Sequence, residues 1–211
     1  MHVNQLNLDS WGSYNKAFEE SLKAISAGHM VIYPTDTVYG IGANATDANA
    51  VRKVNEAKGR ENKPISLLVS DFTMMSKYCK TADVPFNLLQ ELFPGPVTGI
   101  FFKNYDLPSE ITAKDTIAIR IPHHHFVLCL VRKLGFPITS TSANLSGGKS
   151  PKVIEEVPDS LKTLAKVVID GGRCCYGMES TIIDFTKKKP EIVRKGADFD
   201  RINSTISSST H

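Results

Sequence analysis

The apolar residues of this chain recur at two spacings, one typical of helices and one typical of buried strands. Phe18, Leu22 and Ile25 recur every three or four residues, which places them on one helix face, and Gly28 follows where a helix commonly ends. Short continuous apolar runs, such as residues 30–33, are typical of strands buried on both faces. Helical and strand patterns follow one another along the chain, and this order predicts an α/β fold.

Some predicted strands are joined by helices and others by loops, so we expect a mixed sheet flanked by helices. No internal repeat or long linker divides the sequence, which predicts one domain over residues 1–202. Residues 35–42 hold several turn-forming residues and predict a loop, while the Ser- and Thr-rich residues 203–211 predict a disordered tail. Strands are predicted at 30–33, 65–69, 97–102, 116–121, 137–140, 167–170, 181–185 and 192–194, and helices at about 14–27, 48–58, 71–77, 86–92, 123–134 and 154–165.

Composition and charge exclude several classes of protein. The 211 residues carry 25 Lys and Arg against 22 Asp and Glu, and a net charge of +3 is too small to indicate a nucleic-acid-binding protein by itself. No run approaches the roughly 18 apolar residues of a membrane span, and the N-terminus lacks the apolar centre of a signal peptide. We therefore expect no membrane association and a cytoplasmic location.

The cysteines and the histidine triplet do not predict a metal site. None of the four cysteines belongs to a CxxC pair, so they are interpreted as buried or incidental thiols in a reducing compartment. His123, His124 and His125 are adjacent, and adjacent side chains at a helix start point about 100° apart, which prevents them from sharing one ion well. We expect no metal ligands from protein side chains.

Two groups of polar residues are candidates for binding an anionic ligand. Lys58 and Arg60 follow a predicted helix and could bind phosphates, although basic residues at a helix C-terminus also stabilise the helix dipole without any ligand. Residues 140–144, Ser-Thr-Ser-Ala-Asn, follow a predicted strand, where open α/β sheets bind polar ligands, but such sequences also form ordinary loops. Neither group is decisive alone.

Three further polar residues lie within or beside predicted strands. Arg120 interrupts an apolar strand, and because burying an unpaired charge costs several kcal/mol, it must be ion-paired or face a ligand cleft. Thr35 and Ser180 flank strands, where their hydroxyls could contact a ligand or simply form turns. The sequence contains no GxxxxGK[ST] phosphate loop, so any nucleotide must be bound by another arrangement.

Six segments, taken in order, resemble one protein family, the YrdC/TsaC family of single-domain L-threonylcarbamoyladenylate synthases. Each segment is only moderately specific, but their shared order along residues 30–196 is highly specific. The segments are Tyr33 to Gly42, Lys58-Gly59-Arg60, Pro94 to Thr98, Ile119 to Pro122, Ser140 to Asn144 and Ser180 to Asp184.

The resemblance implies a twisted sheet with a large, positively charged concave cleft. It also implies that L-threonine, bicarbonate and ATP give L-threonylcarbamoyl-AMP, pyrophosphate and water, with Mg²⁺ bound to ATP. The product would pass to the complex that forms N6-threonylcarbamoyladenosine on tRNA. By motif position, Lys58 and Arg60 would be catalytic and bind ATP, together with Asn62, Ser140, Ser142, Asn144 and Arg194, while Thr35, Arg120 and Ser180 would contact threonine.

Two positions depart from the family pattern, residues 61–65 and Lys195, which stands where a proline is common after the late arginine. Two other functions stay open. Residues 61–65, Glu-Asn-Lys-Pro-Ile, stand where family members often have a proline and then Asn-Pro-Leu, so the phosphate partner of Lys63 is undetermined. An RNA-binding protein would use the same basic concave surface, and weak RNA binding is compatible with either function. A paralogue with the same fold could instead carry out altered carbamoyl-transfer chemistry.

Overall fold

The ends of the first two helices agree with capping residues in the sequence. In the computed structural model, which describes residues 3–60, 64–104, 107–108, 111–112 and 114–209, the first helix, α1, covers Trp11–Ser26. Its N-terminus is capped by Ser10, whose hydroxyl accepts a hydrogen bond from the Ser13 amide, and Gly28 follows its C-terminus with φ +73°. Helix α2, Ala48–Ala57, begins after Asp47, whose carboxylate accepts from two amides of the first turn, as the sequence predicts.

Ten strands and five further helices complete the described structure. The helices are α3 Phe72–Tyr78, α4 Phe86–Leu92, α5 His125–Leu134, α6 Asp159–Leu164 and α7 Phe199–Ser208. The strands are β1 Gln5–Asn7, β2 Val31–Tyr33, β3 Gly40–Gly42, β4 Ser66–Leu68, β5 Val97–Phe102, β6 Thr116–Arg120, β7 Ile138–Ser142, β8 Val167–Asp170, β9 Thr181–Asp184 and β10 Glu191–Arg194.

The strands form one sheet that is mixed, as predicted. Their order is β1-β8-β2-β3-β7-β4-β6-β5-β9-β10. Strand β8 runs parallel to both β1 and β2, and the pairs β4–β6 and β5–β9 are also parallel, whereas the other five pairs are antiparallel. Helix α1 packs on β1, β8 and β2 and against α5. The prediction of an α/β fold with helices flanking a mixed sheet is confirmed.

Strand β3 lies where the sequence predicts only a loop. Gly40 and Gly42 pair with β2 on one side and, through Gly40, with β7 on the other. The ring of Tyr33 covers both glycines, and a Cβ at Gly42 would lie 2.8 Å from that ring and 2.7 Å from the Thr139 carbonyl oxygen. Gly40 and Gly42 therefore do not interrupt this strand. Because neither has a side chain, the ring of Tyr33 can pack over both of them.

The prediction of a disordered tail from residue 203 is wrong for residues 203–208, which lie in α7. Ile202 and Ile206 are one helical turn apart and are buried, and α7 packs against α4. The hydroxyls of Ser204, Ser207 and Ser208 donate to the carbonyl oxygens four residues earlier, at distances of 2.8–3.0 Å. Two buried isoleucines thus hold a helix whose exposed face is rich in serine.

Several other elements differ from the predictions in extent; α1, for example, begins at Trp11 rather than at about residue 14, and β7 extends to Ser142 rather than to residue 140. The helix predicted over 154–165 is divided into a 3-10 turn at Ile154–Glu156 and α6, because Pro158 cannot continue a helix interior. Helix α5 begins at His125 rather than at His123. Among the residues that the structure describes, no helix is both long and apolar enough to span a membrane.

Candidate functional site

Nine of the ten predicted site residues line a single cleft of about 480 Å³. The cleft is bounded by the loop after β2, the end of α2, the loop after β7, and strands β5, β6, β9 and β10. The tenth residue, Asn62, lies outside the described residues, as does Lys63. The nine are Thr35, Lys58, Arg60, Arg120, Ser140, Ser142, Asn144, Ser180 and Arg194.

Lys58 lies at the C-terminus of α2, and its ammonium group points into the loop after β7. Its side chain is almost fully buried, and Nζ donates to the Ser142 carbonyl oxygen and, at 2.7 Å, to the Asn144 carbonyl oxygen. Burial lowers the pKa of Lys58 to about 8, with a further contribution from the charge of Arg60, while Glu179 opposes the change. Lys58 is thus a partly desolvated cation fixed against neutral oxygens.

Arg60 lies two residues beyond Lys58 and on the same side of the cleft. Gly59 adopts φ +60°, which turns the chain after α2, and the Arg60 amide donates to the Asn55 carbonyl oxygen at 3.1 Å. Its guanidinium donates to Thr141 Oγ1 at 3.2 Å and to the Pro64 carbonyl oxygen at 3.0 Å. Burial lowers its pKa, but an arginine starts high enough to remain charged.

The loop after β7 is ordered by Asn144. Its Nδ2 donates to the carbonyl oxygens of Leu145 at 2.9 Å and Gly148 at 2.6 Å, and its Oδ1 accepts from the Ser142 hydroxyl. The Ser146 amide donates to the Lys58 carbonyl oxygen at 3.0 Å. The loop and the end of α2 therefore hold each other in place, and together they place two cations and several hydroxyls on one wall.

Elsewhere in the cleft lining, Thr35 and Arg120 come together through Asp36. The Thr35 hydroxyl donates to the Val38 carbonyl oxygen at 2.7 Å and so closes a turn. Asp36 forms an ion pair with Arg120, both side chains being more than nine-tenths buried, and also accepts from the His123 amide at 3.1 Å. Arg120 is thus both ion-paired and cleft-lining, two alternatives that the sequence left open.

Ser180 and Arg194 contact each other directly. Arg194 Nε and Nη2 donate to the Ser180 carbonyl oxygen at 3.1 and 2.8 Å, and Nη2 also donates to the Ser180 hydroxyl at 3.2 Å. The Ser180 hydroxyl shares a 2.8 Å hydrogen bond with Thr98. The residues predicted for nucleotide and for threonine are therefore contiguous at this point rather than separated.

A positive charge over the whole surface of the cleft stays a prediction. Part of the charge of the lining residues is already paired within the protein. Arg120 is neutralised by Asp36, and Arg194 forms an ion pair with Glu179 at 2.9 Å. Lys58 donates to the carbonyl oxygens of Ser142 and Asn144, and Arg60 donates to Thr141 Oγ1 and the Pro64 carbonyl oxygen.

Asp36, Thr98 and Glu179 are structural members of the site that the sequence does not single out. For Asp36 a signal exists, since a buried Arg120 demands an anionic partner. Thr98 reaches Ser180 through the pairing of β5 with β9, and Glu179 meets Ser150 and Arg194 only when the loop after β7 and strand β10 come together.

The described residues contain no group of three or more His, Cys, Asp or Glu side chains that could hold a metal ion. His124 is the N-terminal cap residue of α5, and burial lowers its pKa. All four cysteines are free thiols, with Cys79 and Cys174 buried.

Comparison with known proteins identifies relatives over most of the chain. The family model Sua5_yciO_yrdC, described as telomere recombination, matches residues 23–196. A Methanocaldococcus jannaschii protein provisionally named as a threonylcarbamoyl-AMP synthase is 41% identical over 183 residues, which are 86% of each chain. The threonylcarbamoyl-AMP synthase of Pyrococcus abyssi is 38% identical over 175 residues, 82% of this chain and 52% of that protein.

A solved structure agrees with the sequence comparison. The crystal structure of P. abyssi Sua5 complexed with L-threonine has a TM-score of 0.85 and 33% identity, and the match covers 98% of this chain and 61% of that one. This chain therefore spans only a little over half of the P. abyssi protein, whereas it spans most of the M. jannaschii relative. On the family match and these identities, the chain belongs to the Sua5/YciO/YrdC family.

Proposed function

We propose that the protein is a threonylcarbamoyl-AMP synthase, which joins L-threonine, bicarbonate and ATP to give L-threonylcarbamoyl-AMP, pyrophosphate and water. The observation that carries this proposal is the convergence of nine residues, predicted from separate segments, on the lining of one cleft. Relatives named for this activity, at 38% and 34% identity in an archaeon and a bacterium, support it. In this reaction the AMP group is transferred to a carboxyl oxygen, so the enzyme would be a nucleotidyltransferase.

Lys58 and Arg60 would bind the polyphosphate of ATP. Transfer of a nucleotidyl group requires of the protein mainly positioning and positive charge on the departing pyrophosphate, and no covalent nucleophile. Both cations are already fixed, Lys58 by the loop after β7 and Arg60 by Thr141 and Pro64. Little ordering would therefore accompany binding, and Ser140, Ser142 and Asn144 lie beside them to contact the rest of the nucleotide.

L-Threonine would bind on the wall formed by Thr35, Arg120 and Ser180. Arg120 lines the cleft with Thr35 and Ser180, and its guanidinium, which binds Asp36 through Nη2, would also donate to a substrate carboxylate. The neutral amine of threonine would attack the carbon of bicarbonate, and the C–N bond would form as hydroxide leaves and takes one amine proton to give water. A carbamate oxygen would then attack the α-phosphorus, which breaks the bond to pyrophosphate. Proximity and exclusion of water are the contributions that this step needs.

Mg²⁺ would enter with ATP rather than occupy a site built from protein ligands. Glu179 is the acidic residue in the described lining, and its two carboxylate oxygens are engaged by Ser150 and Arg194. Phosphate oxygens and water would therefore supply the coordination, and the ion would neutralise charge on the leaving pyrophosphate.

The product, a mixed anhydride of a carbamic and a phosphoric acid, hydrolyses readily and would be handed to the tRNA threonylcarbamoyl-transfer complex. There are two alternatives. The first is an RNA-binding function that uses the same cleft, and the second is altered carbamoyl-transfer chemistry on the same fold.

Pyrophosphate release by the purified protein tests the proposal. Release from ATP should require both L-threonine and bicarbonate. ATP binding without threonine-dependent release would favour altered chemistry, and the absence of ATP binding would contradict the synthase function and direct the next test to RNA.

A further inference from the structure

Glu179 lies in the cleft lining between two parts of the site that are far apart in sequence. Its Oε1 accepts a 2.6 Å hydrogen bond from the Ser150 hydroxyl, at the end of the loop after β7. Its Oε2 lies 2.9 Å from Arg194 Nη1, at the end of β10. The carboxylate therefore joins the loop after β7 with Arg194 at the end of β10.

The contact with Glu179 completes the fixation of Arg194. The guanidinium already donates through Nε and Nη2 to the Ser180 carbonyl oxygen, and Glu179 holds the remaining terminal nitrogen. An arginine side chain about 40% exposed would otherwise populate several rotamers. With two sides of its plane held, Arg194 presents one orientation to a ligand in the cleft.

The same carboxylate anchors the far end of the loop after β7. The near end is held at Lys58 by Ser146 and Asn144, as the hydrogen bonds of those residues show. Ser150 is the point where this loop is tied to β9 and β10 through a side chain. Glu179 thus fixes the loop against Arg194 across the width of the site.

A negative charge beside a polyphosphate site repels the ligand. If Glu179 favours ATP binding, it must therefore do so by positioning other groups and not by its charge. We infer that Glu179 is a positioning residue of this site, whose carboxylate orients Arg194 and the end of the β7 loop for nucleotide binding. The inference rests on the proposed function, because it takes ATP as the ligand.

A double-mutant cycle tests whether Glu179 acts through Arg194. Calorimetry would measure the Kd for ATP with Mg²⁺ and without L-threonine in the unaltered protein, Glu179→Gln, Arg194→Ala and the double variant. Gln preserves the shape and can still accept from Ser150, but it removes the ion pair. We expect Glu179→Gln to weaken ATP binding about tenfold in the unaltered background and less than twofold in the Arg194→Ala background.

Two results would overturn the inference. Equal effects in both backgrounds would show that Glu179 acts on ATP without Arg194, and tighter binding by Glu179→Gln would show that repulsion outweighs positioning. If the unaltered protein binds no ATP, the proposed function fails. If it binds ATP but either of these two results is found, only the inference about Glu179 fails.

Further variants separate positioning from damage to the fold. Glu191→Gln, at the exposed start of β10, removes a carboxylate from the same strand region and should leave ATP binding unchanged. Ser150→Ala removes the loop contact alone and should weaken ATP binding by about threefold. Thermal unfolding of each variant would verify that its structure is retained; an unchanged Kd for ATP in Ser150→Ala would contradict the loop's part in the inference.

Discussion

Asp36 and Arg120 form a buried ion pair that fixes the loop after β2 against the end of β6. Asp36 also accepts from the amide of His123, so the carboxylate is bound on both oxygens. The pair explains how a charged residue is tolerated inside the apolar strand β6. It also sets the position of Thr35, which precedes Asp36 and lines the cleft.

Asp36→Asn should therefore destabilise the protein strongly. It would leave the Arg120 guanidinium buried without a counter-charge, which typically costs about 3–5 kcal/mol in the free energy of unfolding. Urea unfolding followed by circular dichroism would measure the change. The control is Glu20→Gln, which removes the exposed ion pair with Lys23 and should cost less than about 1 kcal/mol. Equal small losses in both variants would show that the buried pair contributes no more than a surface one.

Arg60→Ala should reduce threonine-dependent pyrophosphate release by about 10²- to 10³-fold, the usual loss when one fixed donor to developing charge is removed. The fold should be retained, because Arg60 follows α2 rather than packing in the core. Steady-state assays with varied ATP would measure the loss.

The matched control is Arg52→Ala, on the exposed face of α2, where the side chain contacts Asn49. It should leave release unchanged. Full activity in Arg60→Ala would remove Arg60 from the phosphate site.

Features set by nearby residues were predictable from the sequence. The N-terminus of α2 follows from the cap at Asp47, and the candidate cations Lys58 and Arg60 follow from the helix that precedes them. Features set by distant partners were not. Strand β3 depends on the ring of Tyr33 lying over Gly40 and Gly42, and turn-forming residues alone indicate a loop there.

The site shows the same division. The sequence indicates that Arg120 needs either an anionic partner or a ligand. It does not show that Asp36, in a loop 84 positions earlier, is that partner. Helix α7 was missed for a related reason, since two isoleucines four residues apart carry its packing and the surrounding serines mask them.

ATP binding should weaken at alkaline pH because the pKa of Lys58 is lowered to about 8 by burial. Phosphate binds the protonated amine, so affinity is retained below this pKa and lost as the pH rises through it. If Lys58 alone controls the change, the Kd for ATP should rise about tenfold between pH 7 and pH 9. Calorimetry at constant ionic strength would measure the Kd for ATP at each pH.

Lys58→Arg provides the comparison, since an arginine stays charged throughout this range. Its affinity, whatever its value at pH 7, should be constant to pH 9. An unchanged Kd in the unaltered protein over the same interval would show that the charge of Lys58 does not contribute to ATP binding.

Gly196→Ala should lower both the free energy of unfolding and the activity, because the backbone of Glu179 and Ser180 leaves no space for a side chain at residue 196. A Cβ at this position would lie 2.4 Å from the Glu179 carbonyl oxygen and 2.5 Å from the carbonyl carbon of Ser180. The adjacent Ala197 amide donates to the same Glu179 oxygen at 2.7 Å, so relief of the clash would break this contact and move Arg194 away from Ser180. We expect a loss of about 1–3 kcal/mol in unfolding free energy and a larger ATP Kd.

Gly12→Ala, in α1 with no atom within 4 Å of the added Cβ, is the control and should stabilise the protein by about 0.5–1 kcal/mol. Normal ATP binding by Gly196→Ala would show that the strand can shift without displacing Arg194.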